Sequence, residues 1–197
     1  MEHPERADLL ALRFQGKACI ANPLFGTTSM HAAALFAVLG EEKAKAFFAG
    51  FAANGGKILS SNGEVRRQVA AGECAVGIVD TDDANVARLE GKPVGVVYPD
   101  TDGMGTLIIP NCTVLIAGGP HPEAGRRLID YLLRPETEQA LAESEAAQMP
   151  LRPDVPVPNG VTSIEHLKPM TVDYTTLAGG LETLSTGYLK AWVDQQS

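Results

Sequence analysis

The stretch "CAVGIVDTDDANVA", residues 74–87, sets an apolar run of strand length directly against Asp80, Thr81, Asp82 and Asp83, and then resumes a helical pattern through Leu89. Two ionised carboxylates about 5 Å apart repel by about 3 kcal/mol at an effective dielectric near 20. One Asp at such a junction is an ordinary helix cap, worth about 0.3–1 kcal/mol through the helix dipole. Three together need a compensating cation. The residues therefore read as the end of a buried strand that faces a ligand.

Working outward, the same strand-to-helix transition recurs on the N-terminal side. "KACIAN" (17–22) reads as a buried strand that turns through "PLFGTTS" into a helix ending at Gly40. A second helix, 41–53, carries Ala44, Phe47, Phe48 and Phe51 at helical spacing and stops at Asn54-Gly55-Gly56. "KIL" (57–59) is a short strand, followed by a helix whose Ser61 and Glu64 stand in capping-box spacing. Alternating strands and helices with near-continuous apolar strands predict an α/β fold, a mainly parallel sheet with helices on both faces. "PVGVVYP" (93–99) and "GTLIIPNCTVLIAGG" (105–119) supply three more strand candidates, the last two separated by Pro110-Asn111. Two helices broken at Pro135 follow.

From Met149 the pattern changes. Pro150, Pro153, Pro156 and Pro158 make an extended connector. Beyond it Tyr174, Leu177, Leu181, Leu184, Tyr188 and Trp192 form the apolar stripe of an amphipathic terminal helix, weakened at Gly179-Gly180. The expected organisation is an α/β lobe over 1–148 and a connector with a C-terminal helical segment over 149–197.

A chain of 197 residues with 45% hydrophobic and 20% charged residues can bury one sizeable core. Its net charge of -8 leaves no basic stripe to neutralise phosphates, which argues against a nucleic-acid partner. Cys19, Cys74 and Cys112 stand far apart in apolar contexts and read as small core residues. His31 lies on an Ala-rich helix and reads as a core or rim histidine, and Asp100 and Asp102 as parts of an Asp-Gly turn. No nucleophile elbow, P-loop or zinc spacing is present, so the residues give no support for an enzyme. The N-terminus lacks the pattern of a secretory signal, which places the chain in the cytoplasm if it is the complete product.

In a parallel α/β sheet, ligands bind beyond the carboxyl ends of the strands, where helix N-termini converge. Three such junctions can be named. Gly26, Thr27, Thr28 and Ser29, with Asn62 beside Ser60, Ser61 and Gly63, offer hydroxyls, an amide and backbone N–H groups, the donors of an anion site. Asp80, Asp82 and Asp83 offer carboxylates, the acceptors of a metal or ammonium site. Together they suit a solute carrying both signs, a metal with a bound anion or an amino-phosphonate.

With these residues in place, the chain resembles the periplasmic solute-binding proteins of ABC importers, within family 1 of the extracellular binding proteins and of the ferric-iron-binding type. The resemblance is carried by "GKACIANPLFGTTSMHAAALFAVLGEEKA", "SNGEVRRQVAAGECAVGIVDTDDANVA", "KPVGVVYPD", "GTLIIPNCTVLIAGGPHPEAGRRLIDYLLRPETEQALAE" and "AAQMPL". It implies a lobe of the type II periplasmic binding-protein fold, namely the second lobe with the C-terminal helices, the first lobe being missing. It further implies a periplasmic location, an ABC permease as membrane partner, and no required cofactor beyond a bound ferric ion or other metal with a synergistic anion. Gly26 to Ser29 and Asn62 match the family's anion site. Asp82 and Asp83 stand where iron-binding relatives carry two adjacent tyrosines, and carboxylates do not reproduce two phenolates. The alternatives to an importer component are a sensory domain for an anion or phosphonate and a truncated remnant that binds nothing.

Overall fold

The computed structural model describes residues 5–196. Three strands form at the expected places: β1 (Ala18–Ala21), β2 (Lys57–Leu59) and β3 (Val76–Ile78). They make one parallel sheet in the order β2-β1-β3, with Ile20 opposite both Ile58 and Ile78. The connections are helical: α1 (Gly26–Leu39) and α2 (Glu41–Ala53) follow β1, α3 (Asn62–Ala70) follows β2, and α4 (Thr81–Leu89) follows β3. Ser61 caps α3 as its spacing predicts, its Oγ accepting from the Glu64 N–H at 3.1 Å.

All four side chains of β1 are buried, and they divide by parity as a pleated strand requires. Ala18 and Ile20 join a cluster with Ala32, Leu35, Phe48, Phe51, Leu189 and Trp192; Cys19 and Ala21 pack with Val65 and Cys74 on the other face. Both faces of the sheet are thus covered, and the α/β class is as expected. Gly77 makes the second face possible. A Cβ there would stand 2.4 Å from Val65 Cγ1 and 3.2 Å from both Cys19 Sγ and Val69 Cγ2. The absent side chain lets α3 lie directly on β3.

The C-terminal stripe packs on this same α/β unit. It forms two helices, α7 (Tyr174–Thr186) and α8 (Tyr188–Asp194), after α5 (Pro122–Leu132) and α6 (Pro135–Glu143), the pair broken at Pro135. The stripe breaks at Gly187 rather than at Gly179-Gly180, which stay helical. Leu177 packs with Ala33 and Ala34 of α1, and Trp192 donates from its indole N–H to the Phe48 carbonyl at 3.1 Å. Fully burying a side chain of this size contributes roughly 1.5–3 kcal/mol, which offsets the two mid-helix glycines.

Two compact units result, one of residues 1–108 with 167–197, the other of 109–166. The division therefore falls elsewhere than at 148/149, because the terminal helices belong with the sheet. The second difference concerns the late strands. Among the described residues, 93–99 and 105–119 form no strand, only an isolated bridge between Thr106 and Pro169. An extended segment becomes a strand only when a neighbour completes its ladder, and among the described residues these segments have only that single bridge. Cys112, in the last of them, is exposed rather than in a core, whereas Cys19 and Cys74 are buried.

Arg6 and Asp100 form a buried ion pair. The Arg6 guanidinium also donates to the Gly105 carbonyl at 3.0 Å and, through Nε, to His31 Nε2, while the Arg6 N–H donates to Asp100 Oδ1 at 3.0 Å. Because these bonds satisfy both charges, burial is tolerated. Asp100 therefore belongs to the scaffold, and it holds a left-handed backbone, φ 61°. Desolvation, with Arg6 adding to it, pushes the His31 imidazole down to about 3. His31 is the neutral acceptor of this cluster.

Two predictions follow from these contacts. A folded His31 below its unfolded value favours the folded state fully above about pH 6.5, and that contribution is lost as pH falls toward 3, by up to ~1.4 kcal/mol per pH unit. Urea unfolding at pH 7.5, 6 and 5 should record this decline, and His31→Gln, which keeps an acceptor but does not titrate, should flatten it. Gly77→Ala should cost about 1–3 kcal/mol through overpacking. Adding Val65→Ala should recover part of that loss, and a neutral Gly77→Ala would show that α3 does not press on β3.

Candidate functional site

The carboxyl ends of β1, β2 and β3 lie side by side in the parallel sheet, so the residues that follow each strand share one edge. Each strand there gives way to a helix start: Gly26 after β1, Asn62 after β2, Thr81 after β3. The first N–H groups of a helix lack intrahelical acceptors, so three sets of donors face the same region. Gly26 enables the first turn of α1 through its backbone. Its φ is 58°, and a Cβ there would meet nothing, so conformation rather than space requires glycine.

Asp80 joins the three junctions. It occupies the N-cap position of α4, yet its side chain makes no cap bond. Instead both of its oxygens lie 2.9 Å from the Thr27 hydroxyl, which donates to the carboxylate, and Asn62 Nδ2 donates to Asp80 Oδ1. Asn62 Nδ2 also reaches Thr27 Oγ1 at 3.1 Å, and the Thr28 hydroxyl donates to Asn62 Oδ1 at 3.4 Å. The first residues of α1, α3 and α4 are thereby tied into one hydrogen-bonded network. Ser29 does not join it, because its hydroxyl turns back to the Gly26 carbonyl at 2.8 Å.

Two of the three carboxyl groups have a raised proton affinity. Burial, and then Asp82 and Asp83, push the Asp80 carboxyl above its usual range, against the Thr27 hydrogen bond. Burial and Asp82 likewise push Asp83 up, opposed by Arg66 and Arg67. Arg66 Nε stands 3.9 Å from Asp83 Oδ1. Arg66 is the residue that the sequence reading passed over. Its signal was spacing, since it lies four residues after Asn62 and so on the same face of α3. The three aspartates do not converge as a metal ligand set, and among the described residues no group of three or more His, Cys, Asp and Glu is arranged to hold a metal ion. The arrangement offers donors along α1 and α3, and excess negative charge at the start of α4.

Residues 7–169 match the family of bacterial extracellular solute-binding proteins. The chain belongs to this family. A putative 2-aminoethylphosphonate-binding periplasmic protein of Salmonella typhi is 32% identical over 171 residues, which covers 83% of this chain and 48% of the relative. The spermidine/putrescine-binding periplasmic protein of Escherichia coli (strain K12) is 31% identical over 119 residues, 59% of this chain and 30% of the relative. Among solved structures, the ferric binding protein from Campylobacter jejuni superposes on 98% of this chain and on 62% of its own, with a TM-score of 0.78 and 20% identity. Iron-bound HitA from Pseudomonas aeruginosa superposes on 92% of this chain and 60% of its own, with a TM-score of 0.73 and 19% identity. Those likenesses speak to the fold. The chain spans less than half the length of these curated relatives.

The network carries its own test. Asp80→Ala strands the Thr27 and Asn62 donors without their acceptor and should cost about 1–3 kcal/mol in urea unfolding. A cycle of Asp80→Ala with Thr27→Val should show a coupling of roughly 0.5 kcal/mol or more, whereas strict additivity would mean that the two side chains act independently.

Proposed function

We propose that this chain is the solute-binding lobe of an ABC importer component, working in the periplasm, and that its solute is a small organic molecule bearing both an ammonium and an oxyanion, of the aminophosphonate type. The observation that carries the reading is the network through Asp80, which makes one surface of three helix starts. Gly26, Thr27, Thr28 and Asn62 bring the backbone N–H groups of two helix starts to the oxyanion, their side-chain donors being engaged within the network. Asp82 and Asp83 bring negative charge to the ammonium, which relieves the repulsion that otherwise weighs on this junction. Asp80 holds the helix starts together.

Two relatives named for amine-bearing solutes, spermidine or putrescine and 2-aminoethylphosphonate, support an ammonium partner for the aspartates. Ferric iron fits less well as cargo. It would meet carboxylates where iron-binding relatives have paired tyrosines, and the described residues do not present them as a ligand cluster. In the proposed mechanism the solute bridges this lobe and a second one, and so shifts an open-closed equilibrium toward the form that a membrane permease recognises.

Titration of the isotope-labelled chain with 2-aminoethylphosphonate, inorganic phosphate and ferric citrate tests the reading. Saturable amide shifts at Gly26–Thr28 and Asn62 are expected with the aminophosphonate, since one lobe retains these contacts. The double variant Asp82→Asn, Asp83→Asn should weaken aminophosphonate binding at least tenfold and leave phosphate binding equal or tighter. Unchanged aminophosphonate affinity in that variant would refute the assignment of the aspartates to the ammonium.

A further inference from the structure

Asn54, Asn62 and Asn159 each stand directly before a glycine. In such a pair the backbone nitrogen of the glycine can attack the side-chain amide carbon, and the missing Cβ leaves that approach open. The fold treats the three pairs differently. Asn54 Nδ2 donates to the Leu9 and Ala11 carbonyls, each at 3.2 Å, and the Gly55 N–H donates to the Ala52 carbonyl at 2.9 Å, so both reacting groups are engaged. Asn62 is held at both ends of its amide: Nδ2 donates to Asp80 and to Thr27 Oγ1, and Oδ1 accepts from the Thr28 hydroxyl. It cannot swing toward Gly63 without giving up the Asp80 network.

Asn159 differs on each count. It and Gly160 are exposed, and they occupy the centre of a turn that the Val161 N–H closes on the Pro158 carbonyl at 3.1 Å. Gly160 holds φ 86°, the left-handed backbone that the third position of a type II turn requires. Among the described residues neither the Asn159 side chain nor the Gly160 N–H has a hydrogen-bond partner. We propose that Asn159-Gly160 is a site of spontaneous deamidation, at which the chain converts an amide at the end of its proline-rich connector into a carboxylate. The Gly160 nitrogen bonds to Asn159 Cγ, the Cγ–Nδ2 bond breaks, and Nδ2 leaves as ammonia with the proton that the Gly160 nitrogen gives up. The succinimide so formed takes up one water at either of its carbonyls. Opening at one returns the original backbone as aspartate; opening at the other gives isoaspartate, whose backbone runs through the former side chain and is longer by one methylene. Water is the sole co-reactant, and nothing is oxidised or reduced. The product adds a negative charge to a segment that already carries Asp154 and Glu165. The step needs neither the solute nor a second lobe.

Peptide mass spectrometry of the chain held at pH 8, folded in buffer or unfolded in guanidinium chloride, reads all three sites in one sample. In buffer, conversion at Asn159 should be at least tenfold faster than at Asn54 or Asn62, and fragmentation should show both aspartate and isoaspartate at position 159. In guanidinium chloride the three rates should converge, because the contacts that restrain Asn54 and Asn62 are gone. Asn159→Gln should remove the acidic charge variant that accumulates on isoelectric focusing and leave the unfolding midpoint unchanged. Equal rates at the three sites in the folded chain would overturn the proposal, as would aspartate without isoaspartate, which would mean direct hydrolysis with no attack by Gly160. A tenfold excess at Asn159 that persists in guanidinium chloride would also overturn it, by tracing the selectivity to local sequence rather than to the fold.

Discussion

The burial of β1 on both faces is the constraint from which the rest of the α/β unit follows. A central strand in a parallel sheet cannot turn one side to water, so Ala18 and Ile20 demand one set of helices and Cys19 and Ala21 another. Small residues answer that demand. Alanines 32 to 34 let α1 approach closely, and Gly77 removes the side chain that would hold α3 away. The large aromatic residues then fill what remains, with Phe48, Phe51 and Trp192 joining helices from opposite ends of the chain.

The same arrangement explains why the helix starts gather at one edge. Parallel strands connected by helices must all begin their helices at one edge, and the backbone there is left with unpaired donors. In this chain the edge is tightened further, because Asp80 gives up the role of cap to hold Thr27 and Asn62. Desolvation is the cost, visible in its raised proton affinity.

Much of this was legible in the residues alone. The apolar runs at 17–22, 57–59 and 74–79 became strands because each has a parallel neighbour, and Ser61 and Glu64 marked the start of α3. The runs at 93–99 and 105–119 have equal strand character and, among the described residues, no more than one bridge, so propensity could not decide their state. The three junctions could be named from the sequence, but their connection through Asp80 could not. A carboxylate after a strand looks the same whether it caps its own helix or reaches to two others. Arg6 with Asp100 depends on an approach between separate segments that no local spacing records.

The engagement of Asp80 separates two layers in the site. Thr27, Asn62 and Asp80 hold one another, so a substitution at any of them disturbs three helix starts at once. Asp82 and Asp83 lie on the first turn of α4, outside that mutual grip. The outer pair can therefore be exchanged without loosening the three helix starts, so the charge at the mouth of this edge is adjustable independently of the frame that holds it.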